Sequence, residues 1–131
     1  MSHKQEIMDA ADKILQLNKT EWTPAEFAIL IQSKYYNIEE LFTFGANYQE
    51  DNIDIKIKIS EEIVDLCCSF EKNIEQYPEM LSWKNRDEQV ARVDGIYEEV
   101  NNALQLQRAI KMYQDDPTPF NAMRLKMFGN I

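Results

Sequence analysis

A short run of carboxylates is the part of this sequence whose residue types and spacing suggest chemistry. Glu61, Glu62 and Asp65 are separated by one, three and four positions, and residues three or four apart lie on one face of a helix. Carboxylates on a shared face can bind Mg²⁺, and the metal can then orient and activate a water for phosphate hydrolysis. Asp94 and Glu98 are the loose downstream complement to this run.

The run is similar to the first half of the motif of all-α nucleotide pyrophosphohydrolases, which is Glu-Glu-x-x-Glu followed by a later Glu-x-x-Asp. The second half is absent at the expected downstream position. A solvated helix face, with acids near Lys58 and Lys72, is the favoured interpretation. A metal-dependent all-α nucleotide hydrolase is therefore an alternative, and we expect a protein that is not an enzyme and has no metal or other cofactor.

Other catalytic constellations cannot be built from this composition. The single histidine, His3, excludes an HExxH zinc site and an ordinary Ser-His-Asp triad. The three glycines are too few and too far apart for a phosphate-binding loop. Cys67 and Cys68 are adjacent, so they predict neither a disulfide framework nor a CxxC metal site but a reducing, cytoplasmic compartment, with one thiol facing the core.

The charge of the chain limits its partners. Fourteen basic residues stand against 23 acidic ones, a formal net charge of −9, which opposes direct binding to nucleic acid. No uncharged stretch approaches the roughly 20 residues that span a bilayer, so no membrane segment is predicted. Between Tyr35 and Ile55 the charged residues are all acidic, and they are Glu39, Glu40, Glu50, Asp51 and Asp54.

This acidic segment has three interpretations. It can be a solvated surface, or a docking site for a partner protein with a basic surface. It can also mimic nucleic acid and so inhibit a DNA- or RNA-binding protein. The C-terminal region is relatively basic through Arg108, Lys111, Arg124 and Lys126, so it can attract the acidic segment of the same chain or of a second chain.

Helical periodicity and caps divide the first third of the chain. Apolar residues recur at three- and four-residue steps from Glu6 to Leu17, which predicts an amphipathic helix. Thr23-Pro24-Ala25-Glu26 is a capping box with proline at the first helical position and predicts a second helix. Asn37 with Glu40 repeats the capping pattern and predicts a short third helix carrying Leu41, Phe42 and Phe44, before Gly45 and Asn47 loosen the chain.

The segment 53–59 fits two patterns. Isoleucine alternates with charged residues as in a half-buried strand, but no second alternating run exists to pair with it. The helical template fits further, through Ile55, Ile59, Ile63, Leu66, Phe70, Ile74 and Tyr77. We therefore predict one long helix over about 52–76, and the alternative is a helix from Ser60 preceded by a linker or an edge strand.

A second long helix is predicted over about 86–114, capped by Asn85 after the break at Pro78 and an apolar connector of Met80, Leu81 and Trp83. Its first half presents the stripe Val90, Val93, Tyr97, Val100 and Leu104. The stripe then meets polar Gln107 and Lys111 and reappears on a rotated line, so the two ends are expected to bury different faces. Gly95 within this helix suggests the close approach of another backbone.

The chain ends in a short helix after a break at 115–119. Thr118-Pro119 is expected to cap it, and its apolar residues are Phe120, Met123, Met127 and Phe128. Closure of the core is the favoured role of these residues. The break keeps open a second interpretation, an exposed helix for the groove of a partner, to which methionine adapts well.

These patterns predict a single helical domain over 1–131. Its fold class is all-α, a compact bundle of about five or six helices with two long antiparallel helices. The predicted function is a non-enzymatic interaction module, such as an acidic adaptor, inhibitor or assembly factor that binds another protein or forms a homo-oligomer. Electrostatic docking is assigned to the five acids above, and apolar contact to Leu106, Ile110, Tyr113, Phe120, Met123 and Met127.

Overall fold

The computed structural model describes residues 2–43, 51–77 and 86–129, and within these ranges the chain is helical with no strand. The all-α prediction is confirmed. The elements are α1 (His3–Leu15), α2 (Pro24–Ile38), a 3₁₀ helix (Glu39–Phe42), α3 (Ile53–Gln76), α4 (Arg86–Asp115) and α5 (Pro119–Gly129). None of the described helices has the length and apolar content needed to cross a bilayer.

The first two helices begin at side-chain caps. α1 starts at His3, earlier than the apolar period predicted, because the Ser2 side chain accepts a 3.2 Å hydrogen bond from the backbone N–H of Gln5. The capping box of α2 is confirmed: Thr23 Oγ1 accepts from the backbone N–H of Glu26 at 3.4 Å, and Glu26 Oε1 accepts from the backbone N–H of Thr23 at 3.0 Å. Local sequence therefore sets both starts.

The short third helix is present as the 3₁₀ helix, which contains Leu41 and Phe42, but its predicted start and cap at Asn37 are wrong. α2 continues through Asn37 to Ile38, and the chain then tightens directly into the 3₁₀ helix. Phe42 is buried at the end of this turn and stacks on Tyr35 at 5.9 Å between ring centroids. The aromatic pair packs where the chain changes from α-helix to 3₁₀ helix, and Asn37 lies inside α2 and does not cap a helix. Phe44, Gly45 and Asn47 lie outside the described residues.

α3 confirms the long helix, and the linker and strand alternatives for 53–59 are wrong. The predicted start of its inward line is also wrong, because Ile55 is 57% exposed whereas Ile53 is buried. The inward line passes through Ser60, a polar residue that an apolar-only pattern skips. Burial of Ser60 is possible because its hydroxyl lies 2.8 Å from Gln107 Oε1 and 2.9 Å from the carbonyl oxygen of Lys56.

α3 and α4 run antiparallel, as predicted. Asp54 pairs with Lys111 and Ser60 with Gln107, so position numbers rise on one helix as they fall on the other. Gln107, the polar residue at which the first apolar stripe of α4 was expected to stop, is fully buried at this contact. The hydrogen bond between Ser60 and Gln107 ties α3 to α4 in one register, although Gln107 Nε2 finds no hydrogen-bond partner among the described residues.

The two ends of α4 pack into different clusters, but the predicted change of buried face is wrong. The buried residues follow one continuous line of three- and four-residue steps, which is Val93, Ile96, Val100, Ala103, Gln107 and Ile110. Val93 and Val100 belong to the main core with α2 and α3. Leu106 and Ile110 form a second cluster with Ile53. Part of the predicted first stripe is wrong, because Tyr97 is 39% exposed and its neighbour Ile96 is buried instead.

The close backbone approach predicted at Gly95 is also wrong. A Cβ built at this position would meet no atom within 4 Å. α4 is held to α2 elsewhere, where the hydroxyl of buried Tyr35 donates a hydrogen bond to Glu99. Burial and this carboxylate both raise the pKa of Tyr35. The predicted break at Pro78, the connector residues Met80, Leu81 and Trp83, and the Asn85 cap lie outside the described residues.

Candidate protein-interaction surface

The carboxylate run on α3 faces solvent and is divided between two neighbouring helices. Glu61 lies 3.5 Å from Arg108 on α4, and Glu62 lies 3.7 Å from Lys34 on α2. Asp65 is exposed. Within residues 2–43, 51–77 and 86–129, no three His, Cys, Asp or Glu side chains come together in a group that could hold a metal ion. The geometry gives no support to the metal-dependent alternative.

The two downstream acids, Asp94 and Glu98, do not complete a metal site with the carboxylate run of α3. Asp94 and Glu98 are exposed on α4, and neither belongs to a metal-binding group within the described part of the chain. The carboxylates of α3 and α4 considered for metal binding therefore lie on the surface and do not form a shared site. They are Glu61, Glu62, Asp65, Asp94 and Glu98.

The two cysteines lie in opposite environments. Cys67 is buried in the main core, and burial raises the pKa of its thiol to about 12. Cys68 is exposed. The prediction that one of the pair faces the core is confirmed, and the high pKa of Cys67 disfavours the thiolate that a nucleophile requires.

His3 takes part in a polar network that joins α1, α2 and α4. Its Nε2 lies 3.3 Å from Oε1 of the fully buried Gln32. Gln32 Nε2 donates to the carbonyl oxygen of Ala28 at 3.1 Å and to Gln89 Oε1 at 2.5 Å. The ring of His3 also packs edge-on against Tyr36. These contacts give His3 a structural place beside buried Gln32.

The predicted acidic docking residues are divided by the fold. Asp54 on α3 pairs with Lys111 on α4, and this hydrogen bond raises the pKa of Lys111. Glu39 pairs with Lys4 on α1 at 2.9 Å. Glu40 and Asp51 are exposed. Glu50 lies outside the described residues.

The attraction of the basic C-terminal region to the acidic segment is thus confirmed within one chain at Asp54 and Lys111. A basic partner would have to displace cations that the chain already supplies. Nucleic-acid mimicry needs a continuous row of unpaired carboxylates. The ion pairs of Asp54 and Glu39 interrupt such a row, so they weaken this interpretation too.

The predicted apolar residues divide into a covered group and an exposed group. Leu106 and Ile110 are buried, and Leu125 and Phe128 of α5 pack against their cluster. They are therefore part of the interior of this chain and add nothing to its outer surface. Tyr113 is partly exposed near the end of α4.

α5 presents an apolar face to solvent that we call the α5 ridge. It consists of Phe120, Met123 and Met127, whose exposed fractions are 65%, 58% and 75%. The three- and four-residue steps place them along one side of the helix. Core closure was the favoured role of this segment, and it is wrong for these three residues although Phe128 does pack inward.

The α5 ridge is flanked by positive charge. Arg124 and Lys126 fall on either side of it at about 100° per residue, and α5 carries no acidic residue. Each of the other described helices carries at least as many acidic as basic residues. The ridge is thus a local apolar and basic surface on a strongly acidic chain.

α5 is fixed to the bundle despite the break before it. Thr118 Oγ1 accepts from the backbone N–H of Asn121 at 3.2 Å, as the predicted cap requires. The buried Asn121 side chain donates to the carbonyl oxygens of Met112 and Asp116 at the end of α4, at 3.4 and 2.8 Å. The ridge is therefore presented by a positioned helix. The sequence analysis missed Asn121, whose signal was an amide residue three positions after the Thr118 cap.

An open apolar groove of about 330 Å³ lies among α1, the α1–α2 connection, α2 and α3. We call it the α2 groove. It is lined by the apolar residues Leu15, Trp22, Phe27, Leu30, Ile31 and Leu66 and by the polar residues Ser33, Lys34 and Asn37. Helical periodicity did not predict this groove, because its walls come from four elements that only the fold brings together.

Comparison of the chain with family models, with curated proteins and with solved structures found no match.

Proposed function

We propose that this protein is a non-enzymatic interaction module that binds another polypeptide through the α5 ridge. The exposure of Phe120, Met123 and Met127 on one side of a helix whose other side is packed is the observation that supports it. Large apolar side chains left together in water favour association, since contact with a partner removes their surface from solvent.

The chemistry of the ridge suits a helix that enters a groove. Its anchors recur at i, i+3 and i+7, the spacing by which amphipathic helices fill apolar grooves. Two of the three anchors are methionines, whose flexible thioethers adapt to irregular contact surfaces. Arg124 and Lys126 add a preference for a groove with acidic residues at its rim.

The proposal is tested by quantitative affinity capture from a lysate of the cells that encode this chain. The ridge variant carries Met123→Glu and Met127→Glu. The control carries Leu17→Glu and Tyr97→Glu, which change exposed apolar residues outside α5 and its cluster with the same added charge. We expect the ridge variant to lose at least about tenfold of a specifically captured polypeptide, while the control retains it.

Thermal unfolding of each variant provides the folding control. Exposed substitutions of this kind change stability by about 0.5 kcal/mol or less. Equal capture by the ridge variant and the control, with both folded, would show that the ridge is not the binding surface.

A further inference from the structure

The α2 groove changes from apolar to polar along its length. Its lining on α2 is apolar toward the start of the helix and polar toward the end, in the order Phe27, Leu30, Ile31, Ser33, Lys34 and Asn37. The groove therefore has an apolar end and a polar end. Its lining residues do not include any residue of α5, so what it binds is a separate question from the proposed function.

α1 adds an apolar wall at the apolar end. α1 runs antiparallel to α2, because Met8 contacts Ser33 at 3.5 Å and Lys4 pairs with Glu39 at 2.9 Å. Leu15 lies seven positions after Met8, or about 10 Å along the helix axis. It therefore lines the groove near the start of α2, away from the polar end.

α3 extends the apolar end in the same way. It also runs antiparallel to α2, because Glu62 lies 3.7 Å from Lys34, whereas Asn73 Nδ2 donates a 3.0 Å hydrogen bond to the carbonyl oxygen of Trp22. Leu66 lies one turn after Glu62 in the direction of Asn73. The hydrogen bond from Asn73 fixes the chain at Trp22, so this wall is formed before anything binds.

The apolar end is a recess with a packed floor. Ile31 is buried, and the ring of Phe27 stacks on Phe70 of the main core at 6.0 Å between ring centroids. The groove volume of about 330 Å³ falls at the lower end of the range of ligand pockets, about 300–1,000 Å³. Such pockets are mainly apolar and contain a few polar groups that orient the ligand, which is the composition of this groove.

The polar end is suited to an anionic group. Lys34 is the charged residue among the described residues that line the groove, and the hydroxyl of Ser33 and the amide of Asn37 add hydrogen-bond donors beside it. The pair of Lys34 with Glu62 spans 3.7 Å, and the side chains are 44% and 48% exposed. Exposed pairs of this kind are weak, so a bound carboxylate can compete for the ammonium group.

We propose that the α2 groove binds a small amphipathic anion, a medium-chain fatty acid, with its tail toward Trp22 and Phe27 and its carboxylate beside Lys34. Phe27 and Lys34 are seven residues apart, or about 10 Å along α2, which is the distance that the ligand spans. The net charge of −9 attracts cations at long range. A preference for an anion therefore reports the local charge of Lys34.

Three probes with the same alkyl chain test the charge of the ligand: decanoate, decanol and decyltrimethylammonium. Each is titrated at physiological ionic strength, below the concentration at which it aggregates, and calorimetry measures its affinity. We expect saturable binding, with decanoate at least about threefold tighter than decanol and decyltrimethylammonium weakest. Equal affinities, or tightest binding of the cation, would overturn the proposal.

Matched substitutions test the two ends separately. Lys34→Gln should weaken decanoate at least about threefold and leave decanol unchanged, whereas Lys72→Gln, at an exposed lysine that does not line the groove, should change neither. Leu15→Ser should weaken both probes at least about threefold. Leu17→Ser is its control, because Leu17 is 59% and Leu15 56% exposed but only Leu15 lines the groove.

Met127→Ser examines the other exposed apolar surface, the α5 ridge. This variant should bind decanoate as the unmodified chain does. Weaker binding would place decanoate on the ridge and overturn the proposal for the groove. Thermal unfolding checks that each variant is folded, since substitutions at exposed positions change stability little.

Tryptophan fluorescence tests the direction of the tail. Trp22 and Trp83 are the two tryptophans of the chain, so Trp83→Phe leaves the signal of Trp22. Bromine quenches a tryptophan that it contacts. We expect decanoate brominated at its terminal carbon to quench Trp22 more strongly than decanoate brominated next to its carboxylate. The reverse order would overturn the proposed orientation.

Discussion

Cys67 and Cys68 are neighbours in the chain but differ in their access to solvent. Cys67 lies in the main core, and Cys68 lies on the exposed side of α3. Adjacent residues on a helix point about 100° apart, so the two thiols lie on different faces of α3. This difference has a chemical consequence, because alkylation requires both access and the thiolate form.

We predict that iodoacetamide modifies the native protein once, at Cys68. Cys67 is buried and its thiol has a pKa raised to about 12 by burial, so it should react only as the chain unfolds. Peptide mass spectrometry after graded exposure measures the order of modification. The Cys68→Ser variant is the control and should take up no label while native. Rapid labelling of Cys67 in that variant would contradict the burial of this thiol.

Glu26 is a second residue with a predictable response. Its burial raises its pKa, but the hydrogen bonds from Lys19 and Thr23 outweigh this effect and hold the pKa below its ordinary value of 4.5. The ionised carboxylate is therefore favoured in the folded state. Its stabilising contribution is complete above the unfolded pKa and is lost as the pH falls through the folded pKa.

We predict that Glu26→Gln reduces the loss of stability on acidification. Between about pH 6 and about pH 3, the unmodified chain should lose more of its unfolding free energy than the variant loses, because the lowered pKa of Glu26 couples ionisation to folding. Urea unfolding at each pH measures the difference. Glutamine can still accept from the backbone in a capping box, so the variant should remain folded. Parallel curves for the two proteins would show that Glu26 is not linked to folding.

At the scale of single elements, α4 shows what a residue pattern does and does not predict. The polar residue Gln107 on its apolar line predicted a change of buried face, and this prediction is wrong because the buried line continues through Gln107. Gly95 was misinterpreted because glycine allows a close approach without requiring one. Burial of Gln107 depends on a hydrogen bond with Ser60, which is 47 positions away, so the periodicity of α4 alone does not predict it.

We predict that Gly95→Ala stabilises the protein by about 0.5–1 kcal/mol, since glycine disfavours a helix interior and a Cβ here meets open space. Calorimetry should show a melting temperature raised by roughly 3 °C. Ala91→Gly, at another exposed position of α4, is the matched control and should be destabilising by a similar amount. A loss of stability in Gly95→Ala would mean that this site is more crowded than the structure shows.

At the scale of the whole molecule, α5 has a packed side and an exposed side. Phe128 packs against the cluster of Ile53, Leu106 and Ile110, whereas Phe120 is largely exposed. Two phenylalanines of one helix therefore provide an internal comparison. Their difference comes from the position of α5 on the bundle, since both have the same side chain.

We predict that Phe128→Ala lowers the unfolding free energy by about 2 kcal/mol, because it removes apolar contacts from a partly buried site. Phe120→Ala should change it by about 0.5 kcal/mol or less. Chemical denaturation of both variants measures the pair. Equal effects would show that α5 is not held to the bundle by Phe128.

The sequence by itself determined the two long helices, the capping box at Thr23 and the exclusion of most catalytic constellations. These follow from interactions among residues within about two helical turns, or from the absence of a residue type. Only the tertiary structure decided that Leu106 and Ile110 are covered while Phe120, Met123 and Met127 are exposed. The helical repeat specifies which residues share a face, but coverage of that face depends on elements distant in the chain, as when α5 and Ile53 meet the end of α4.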